Sequence, residues 1–176
     1  TSAAPNPDSN PLISSLDHIH IHAADPMASI RFYESCFGAE HLGSIPSGEG
    51  GRNHGVLLGG QLLVISEFPP GMSPKEPPEA GDGALLSGFG VAHFGLQTDD
   101  LDSALSRLRD AGAQIHGEPR QTDSIRFAYA TVPDGVVIEL VELHLPARLR
   151  PFLPLLKGVN QAIHLTRRAL AKQLFE

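Results

Sequence analysis

The chain has 176 residues, 41% of them hydrophobic and 6% aromatic, with a net charge of −7. That length allows one domain with a real core, or two small modules that share one, and the acidic balance argues against non-specific nucleic-acid binding. No run of about 18 apolar residues is available to span a membrane, and one cysteine, Cys36, excludes an internal disulfide and a thiolate metal cage. With no basic-then-apolar stretch at its start, the chain is expected to be cytoplasmic. The charge is uneven: 147–176 hold six Lys/Arg against Glu176, a net of +5, which leaves −12 on the remainder.

Residues 1–14 are rich in Pro, Asn and Ser and read as a flexible tail. Residues 16–22, LDHIHIH, read as a strand, with His18, His20 and His22 on one face and Ile19 and Ile21 on the other. Alternation alone fits an edge strand with a solvated polar face. Asp25 then Pro26 open a helix on which Ile30, Tyr33 and Phe37 form a stripe, and Gly38 ends it. A Gly-rich stretch carrying His54 follows, then two apolar strands, VLL and QLLVIS, joined by a hairpin at Gly59-Gly60. Five prolines in 69–83 exclude regular structure there and mark 69–86 as a connector.

The second half repeats this order. VAHFGLQ is a strand, and 98–113 hold a helix with Leu101, Leu105 and Leu108 on one stripe. RFAYATV and VVIELVEL are strands joined by a Pro133-Asp134-Gly135 turn. A basic tail, 146–176, ends in a helix at about 159–175 with Val159, Ile163, Leu170 and Leu174 near one face. Its expected role is a structural cap; packing on a partner subunit and lying on a membrane surface are weaker readings, the last for lack of Trp and the interrupting Pro154 and Gly158. Cys36, on the apolar side of the first helix, reads as a core residue.

Superposed, the halves place His93 on His18 and Asp100 on Asp25. Gly135 then falls on Gly60, Glu142 on Glu67, and Glu139 on Val64. The expected fold is therefore α+β: two tandem βαβββ modules, 15–68 and 87–145, forming a cupped half-barrel sheet, plus a C-terminal helix. Under pseudo-two-fold symmetry, His18, His93 and Glu139 face one cavity. Two imidazoles and a carboxylate suit Fe(II), Mn(II), Co(II), Ni(II) or Zn(II). His93 equally reads as a hydrogen-bonded core histidine. Glu139 is costly in an apolar strand unless paired, metal-bound or solvated. Glu142, three residues on, points the other way and reads as solvated.

These segments, with EPR and PDGVVIEL, resemble the vicinal oxygen chelate superfamily over about residues 15–144. That group includes glyoxalase I, extradiol ring-cleaving dioxygenases, epimerases, fosfomycin-resistance proteins and bleomycin-binding proteins. The resemblance implies metal ligation by His18, His93 and Glu139. It also implies a small-molecule substrate with two adjacent oxygens and a homodimer whose modules pair within or between chains. Glyoxalase I and the epimerases have a fourth ligand where Val64 stands, which argues against glyoxalase I chemistry; Glu67 reaches that place only through a register shift. The order His, His, Glu and the placement of Tyr129 imply an extradiol-type dioxygenase with Fe(II), and Zn, Mn, Ni or Co as other metals. His20 and His22 would then carry protons, His54 would contact substrate, and Arg126 would pair with a substrate anion. Arg126 and Tyr129 lie three apart, on opposite faces of an unbulged strand, and Tyr129 is preferred for the site. A metal-dependent lyase or isomerase and a metal-free binding protein of the bleomycin-resistance type are the alternatives.

Overall fold

The computed structural model describes residues 16–47, 50–71, 90–144 and 151–175. The expected tail 1–14, most of the connector 69–86 and the start of the basic tail lie outside the described residues.

The first two helices start where the sequence supplies a cap. Asp25 has an extended backbone and accepts from the Ala28 amide at 3.0 Å, with Pro26 opening α1 (Pro26–Phe37). Gly38, at φ 66°, closes α1 in the left-handed region. Asp100 repeats the device for α2 (Leu101–Asp110), accepting from Ser103 N at 2.9 Å.

The strands are β1 (His18–Ala23), β2 (Glu40–Pro46), β3 (Arg52–Leu58), β4 (Gln61–Glu67), β5 (Phe94–Thr98), β6 (Gln114–Gln121), β7 (Ile125–Thr131) and β8 (Val137–Leu143). They form two four-stranded sheets, β1-β4-β3-β2 and β5-β8-β7-β6, each with one parallel pair and two antiparallel pairs. The βαβββ repeat read from the sequence is the observed architecture. The Gly-rich stretch differs from its expectation: β2 and β3 extend into it and pair up to Pro46 and Arg52, with a register shift between His41 and Gly43.

One core joins the modules. Ile21, Ile30, Tyr33, Cys36, Val56 and Ile65 of the first pack with Leu101, Leu105, Leu108, Ile138 and Leu140 of the second. Both helices therefore lie on the same side of the molecule, against one face of each sheet. The opposite, open faces carry the polar alternates. On the first sheet the open face is partly covered by α3 (Leu153–Phe175), which packs on β2, β3 and β4. There Leu42, Leu57, Leu62, Val64, Ala171 and Phe175 make a second, smaller core. The helix is longer than the expected 159–175 because Pro154, in its first turn, forfeits no intrahelical bond. Among the described residues no helix is long and apolar enough to cross a membrane.

Candidate metal centre

Parallel pairing of β1 with β4 sets the first half of the site. His18 lies opposite Leu62, His20 opposite Val64 and His22 opposite Ser66, so all three histidines share the open face while Ile19 and Ile21 enter the core. Asp17 holds His18 Nδ1 at 2.7 Å and leaves Nε2 as the available donor, a carboxylate–histidine arrangement common behind metal ligands. Ser66 Oγ bridges the other two, 2.9 Å from His20 Nε2 and 3.3 Å from His22 Nδ1. Burial foremost, then the neighbouring His22 and His18, holds the pKa of His20 below its usual value. Val64 is buried beneath Ala171 and Phe175. It presents no donor.

The second half sits on the other sheet. Glu139 lies opposite Gly95 on β5 and Tyr129 on β7, with the alternate residues Ile138, Leu140, Ala128 and Ala130 in the core. His93 precedes β5, and its Nε2 is 3.5 Å from Glu139 Oε2. Tyr129 meets the His93 ring edge-on at 5.1 Å and hydrogen-bonds Glu139. Burial, then the Glu139 carboxylate, pushes the Tyr129 pKa up. Two donors each about 2.1 Å from one ion lie about 3–3.5 Å apart, so the His93–Glu139 pair fits a shared divalent cation. Both side chains remain partly exposed.

The structure thus brings together His93, Glu139 and Tyr129, and separately His18, His20 and His22. It does not bring the two groups together: among the described residues no three His, Cys, Asp or Glu side chains converge as a metal site. The remaining sequence candidates fall elsewhere. His54 lies opposite Ile65, on the helix-side face of the sheet, with Nδ1 3.3 Å from His41 Nε2. Arg126 also faces the helix side; it forks onto Asp102 at 2.9 and 3.2 Å and lies 3.6 Å from Glu142. Glu142 is committed as well, accepting from the Leu101 amide at 2.9 Å at the start of α2. It anchors a helix rather than being merely solvated.

Sequence reasoning missed two groups on the open face of the second sheet. His116, opposite Tyr129, is buried and 2.7 Å from Thr131 Oγ1. Arg120, opposite Phe127, is close enough for its charge to act on Tyr129. The irregularity between His116 and Arg120 hides their common face from a count of alternation.

Paired βαβββ modules, with histidines on β1, His93 just ahead of β5 and Glu139 on β8, form a vicinal-oxygen-chelate architecture. The Glyoxalase/Bleomycin resistance protein/Dioxygenase superfamily model matches residues 15–140, and the chain belongs to that family. No curated protein matches. Among solved structures, the chain is similar to the antibiotic-binding protein TnmS3 from Streptomyces sp. CB03234, at 26% identity and TM-score 0.56, covering 77% of this chain and all of that one. It is also similar to a variant of the fosfomycin-resistance protein FosX from Listeria monocytogenes, solved with Mn(II) and 1S,2S-dihydroxypropylphosphonic acid (22% identity, TM-score 0.57, 78% and 99% covered). A glyoxalase family protein from Bacillus cereus gives 20% identity and TM-score 0.60, with 79% and 99% covered. The likenesses under 25% identity speak to the fold.

Proposed function

We propose that the protein is a divalent-metal-dependent enzyme acting on a small molecule with two adjacent oxygens. In this reading its centre is shared between two copies, His18 from one and His93 with Glu139 from the other. The observation that carries it is the His93–Glu139 pair, 3.5 Å apart on an open face with Tyr129 beside it. The third donor, His18, stands oriented by Asp17 on the equivalent strand of the other module. A bound divalent ion supplies Lewis acidity towards the two oxygens and, as Fe(II), reactivity with dioxygen.

The reaction this residue set fits best is extradiol-type cleavage with Fe(II). Tyr129 lies at the edge of His93 and gives its single O–H to Glu139; with Glu139 engaged by a metal ion, that O–H would be released to donate to a substrate oxygen. The His20–Ser66–His22 chain is placed to accept and pass on a substrate proton. Arg120 replaces Arg126 as the cation available to an anionic substrate, because Arg126 is engaged by Asp102. The absence of a donor at Val64 keeps the ligand set at three and weighs against a four-ligand lyase or isomerase. We place the enzyme in the cytoplasm.

The likeness to TnmS3 favours one other reading, metal-free binding of a small molecule. Metal analysis of anaerobically purified protein decides between them. The expected result is near-stoichiometric metal, lost in His93→Ala and Glu139→Gln; iron directs assays to catechols, and manganese, nickel or zinc to non-redox chemistry. No metal after reconstitution overturns the enzyme reading and leaves the binding protein.

A further inference from the structure

Two histidines outside the candidate centre face each other on the helix side of the first sheet. His41 on β2 lies opposite Val56, and His54 on β3 lies opposite Ile65; both partners are core residues. His18, His20 and His22 stand on the other face of the same sheet. The His41–His54 pair is therefore separate from the donors considered for the centre with His93 and Glu139. Both rings are half-buried, with centroids 5.4 Å apart and planes inclined by 43°.

The spacing of the pair is long for a hydrogen bond and right for two ligands. His41 Nε2 and His54 Nδ1 are 3.3 Å apart, just beyond the roughly 2.7–3.2 Å of an N–H donor and its acceptor. Two imidazole nitrogens each about 2.0 Å from one zinc ion, at a tetrahedral angle, lie about 3.3 Å apart. Burial first, then His41 and Arg52, hold the His54 pKa below its usual value, with Glu67 opposing, so this ring is neutral at neutral pH and offers a lone pair. Glu67 shares the face, opposite the core residue Ala23, and is exposed. Among the described residues no Lys or Arg forms an ion pair with its carboxylate. The Arg52 guanidinium is held by Ser44 instead: Nε donates to Ser44 Oγ and Nη2 to Ser44 O, each at 2.8 Å. An uncompensated negative charge thus stands near two facing imidazoles.

We propose that His41 and His54 hold a zinc(II) ion between β2 and β3, with water in its remaining positions and the Glu67 charge nearby. Imidazole nitrogens select a borderline cation such as zinc over calcium or magnesium, which take oxygen ligands. With only two protein donors the site exchanges its ion readily: a chelator strips it and added zinc refills it. The bound ion ties β2 to β3 beside the place where their pairing shifts register, between His41 and Gly43. It therefore opposes separation of those strands by mass action. The assignment does not depend on the reaction proposed at His93 and Glu139.

The test is a zinc titration of the chelator-stripped full chain carrying Glu139→Gln, which disables the other centre, followed by the histidine ring resonances and by calorimetry. The expected result is that the ring resonances of His41 and His54 move together and saturate, while the β2 and β3 amides exchange more slowly with solvent. Adding His41→Gln or His54→Gln should weaken this binding at least tenfold with unchanged circular dichroism. Adding His22→Gln, on the other face of the sheet, should leave it unchanged. Rings of His41 and His54 that do not respond to zinc overturn the proposal and leave the pair as a long hydrogen bond. Zinc binding that survives His41→Gln and His54→Gln but is lost in His22→Gln overturns it too, by moving the ion to the open face. The ring resonances read the site in a chain that keeps both histidines, so an unstable variant does not blunt the test.

Discussion

Asp134, in the turn between β7 and β8, accepts a hydrogen bond from the Ser29 hydroxyl of α1, so a turn of the second module ties down a helix of the first. Its other carboxylate oxygen accepts from the Ala24 amide at 3.0 Å, ahead of the helix start. The contact holds Asp134 in the left-handed region, at φ 63°, the one non-glycine residue so placed among those described. Part-buried hydrogen bonds to a charged group contribute about 1.5–3 kcal/mol before the cost of the strained backbone. Asp134→Ala should therefore lower unfolding stability by about 1–2 kcal/mol, and Ser29→Ala by about 1 kcal/mol. Urea denaturation of both and of the double variant checks this; additivity of the two would mean the residues are not coupled.

The attachment of α3 depends on a carboxylate. The Arg168 guanidinium bonded to Glu40 holds that carboxyl below its usual range, and burial opposes this only in part. A lowered folded pKa means the unfolded chain binds more protons, so the contribution is present above the ordinary carboxylate range and is lost as pH falls through the folded value. Acidification below about pH 4.5 should release α3 before the modules unfold. Hydrogen exchange of the α3 amides should speed up over that window in the wild type and already be fast at neutral pH in Glu40→Gln. Protection that is independent of both pH and Glu40 would show that the Ala171 and Phe175 packing and the Arg167 bonds to Gly60 and Gln61 secure the helix without that ion pair.

His54 gives a slope of opposite origin. Burial first, then His41 and Arg52, hold its pKa below the usual 6.5, with Glu67 opposing. The unfolded chain therefore takes up a proton that the folded chain resists. Stability should fall as pH drops through about 6.5 towards the folded value and level off below it. In His54→Asn the change between pH 7 and pH 5 should be shallower than in the wild type; equal slopes would show that His54 is not the group responsible.

Residues governed by local periodicity were legible in the sequence. Alternation placed His18, His20 and His22 on one face and Glu139 with Tyr129 on another. It also separated Tyr129 from Arg126. The caps at Asp25 and Asp100 and the stop at Gly38 are local chemistry and read directly. What failed depended on irregular pairing or on distant partners. The register shift after His41 concealed β2 within a Gly-rich stretch, and nothing in the spacing placed His54 on the helix side. Glu142 read as solvated because its partner, the Leu101 amide, is 41 positions away. Helix α3 misled in its own way: its apolar stripe looks like the buried face, whereas the face packed on the sheet is rich in arginine and seats one phenylalanine against Gly55.

The separation of His18 from His93 and Glu139 leads to a prediction that single variants cannot test. His18→Ala and Glu139→Gln should each lose metal when purified alone. If the centre lies between copies, a mixed dimer of the two holds one intact set, His18 from the Glu139→Gln chain and His93 with Glu139 from the His18→Ala chain. Random reassociation of equal amounts makes about half of the dimers mixed and so restores about a quarter of the wild-type metal and activity. If the three residues met within one chain, no mixture could recover anything, because every chain lacks one ligand. Metal content and activity measured after unfolding and refolding the mixture distinguish the two. Recovery near a quarter establishes the shared centre, and none at all, from a mixture shown to exchange subunits, excludes it.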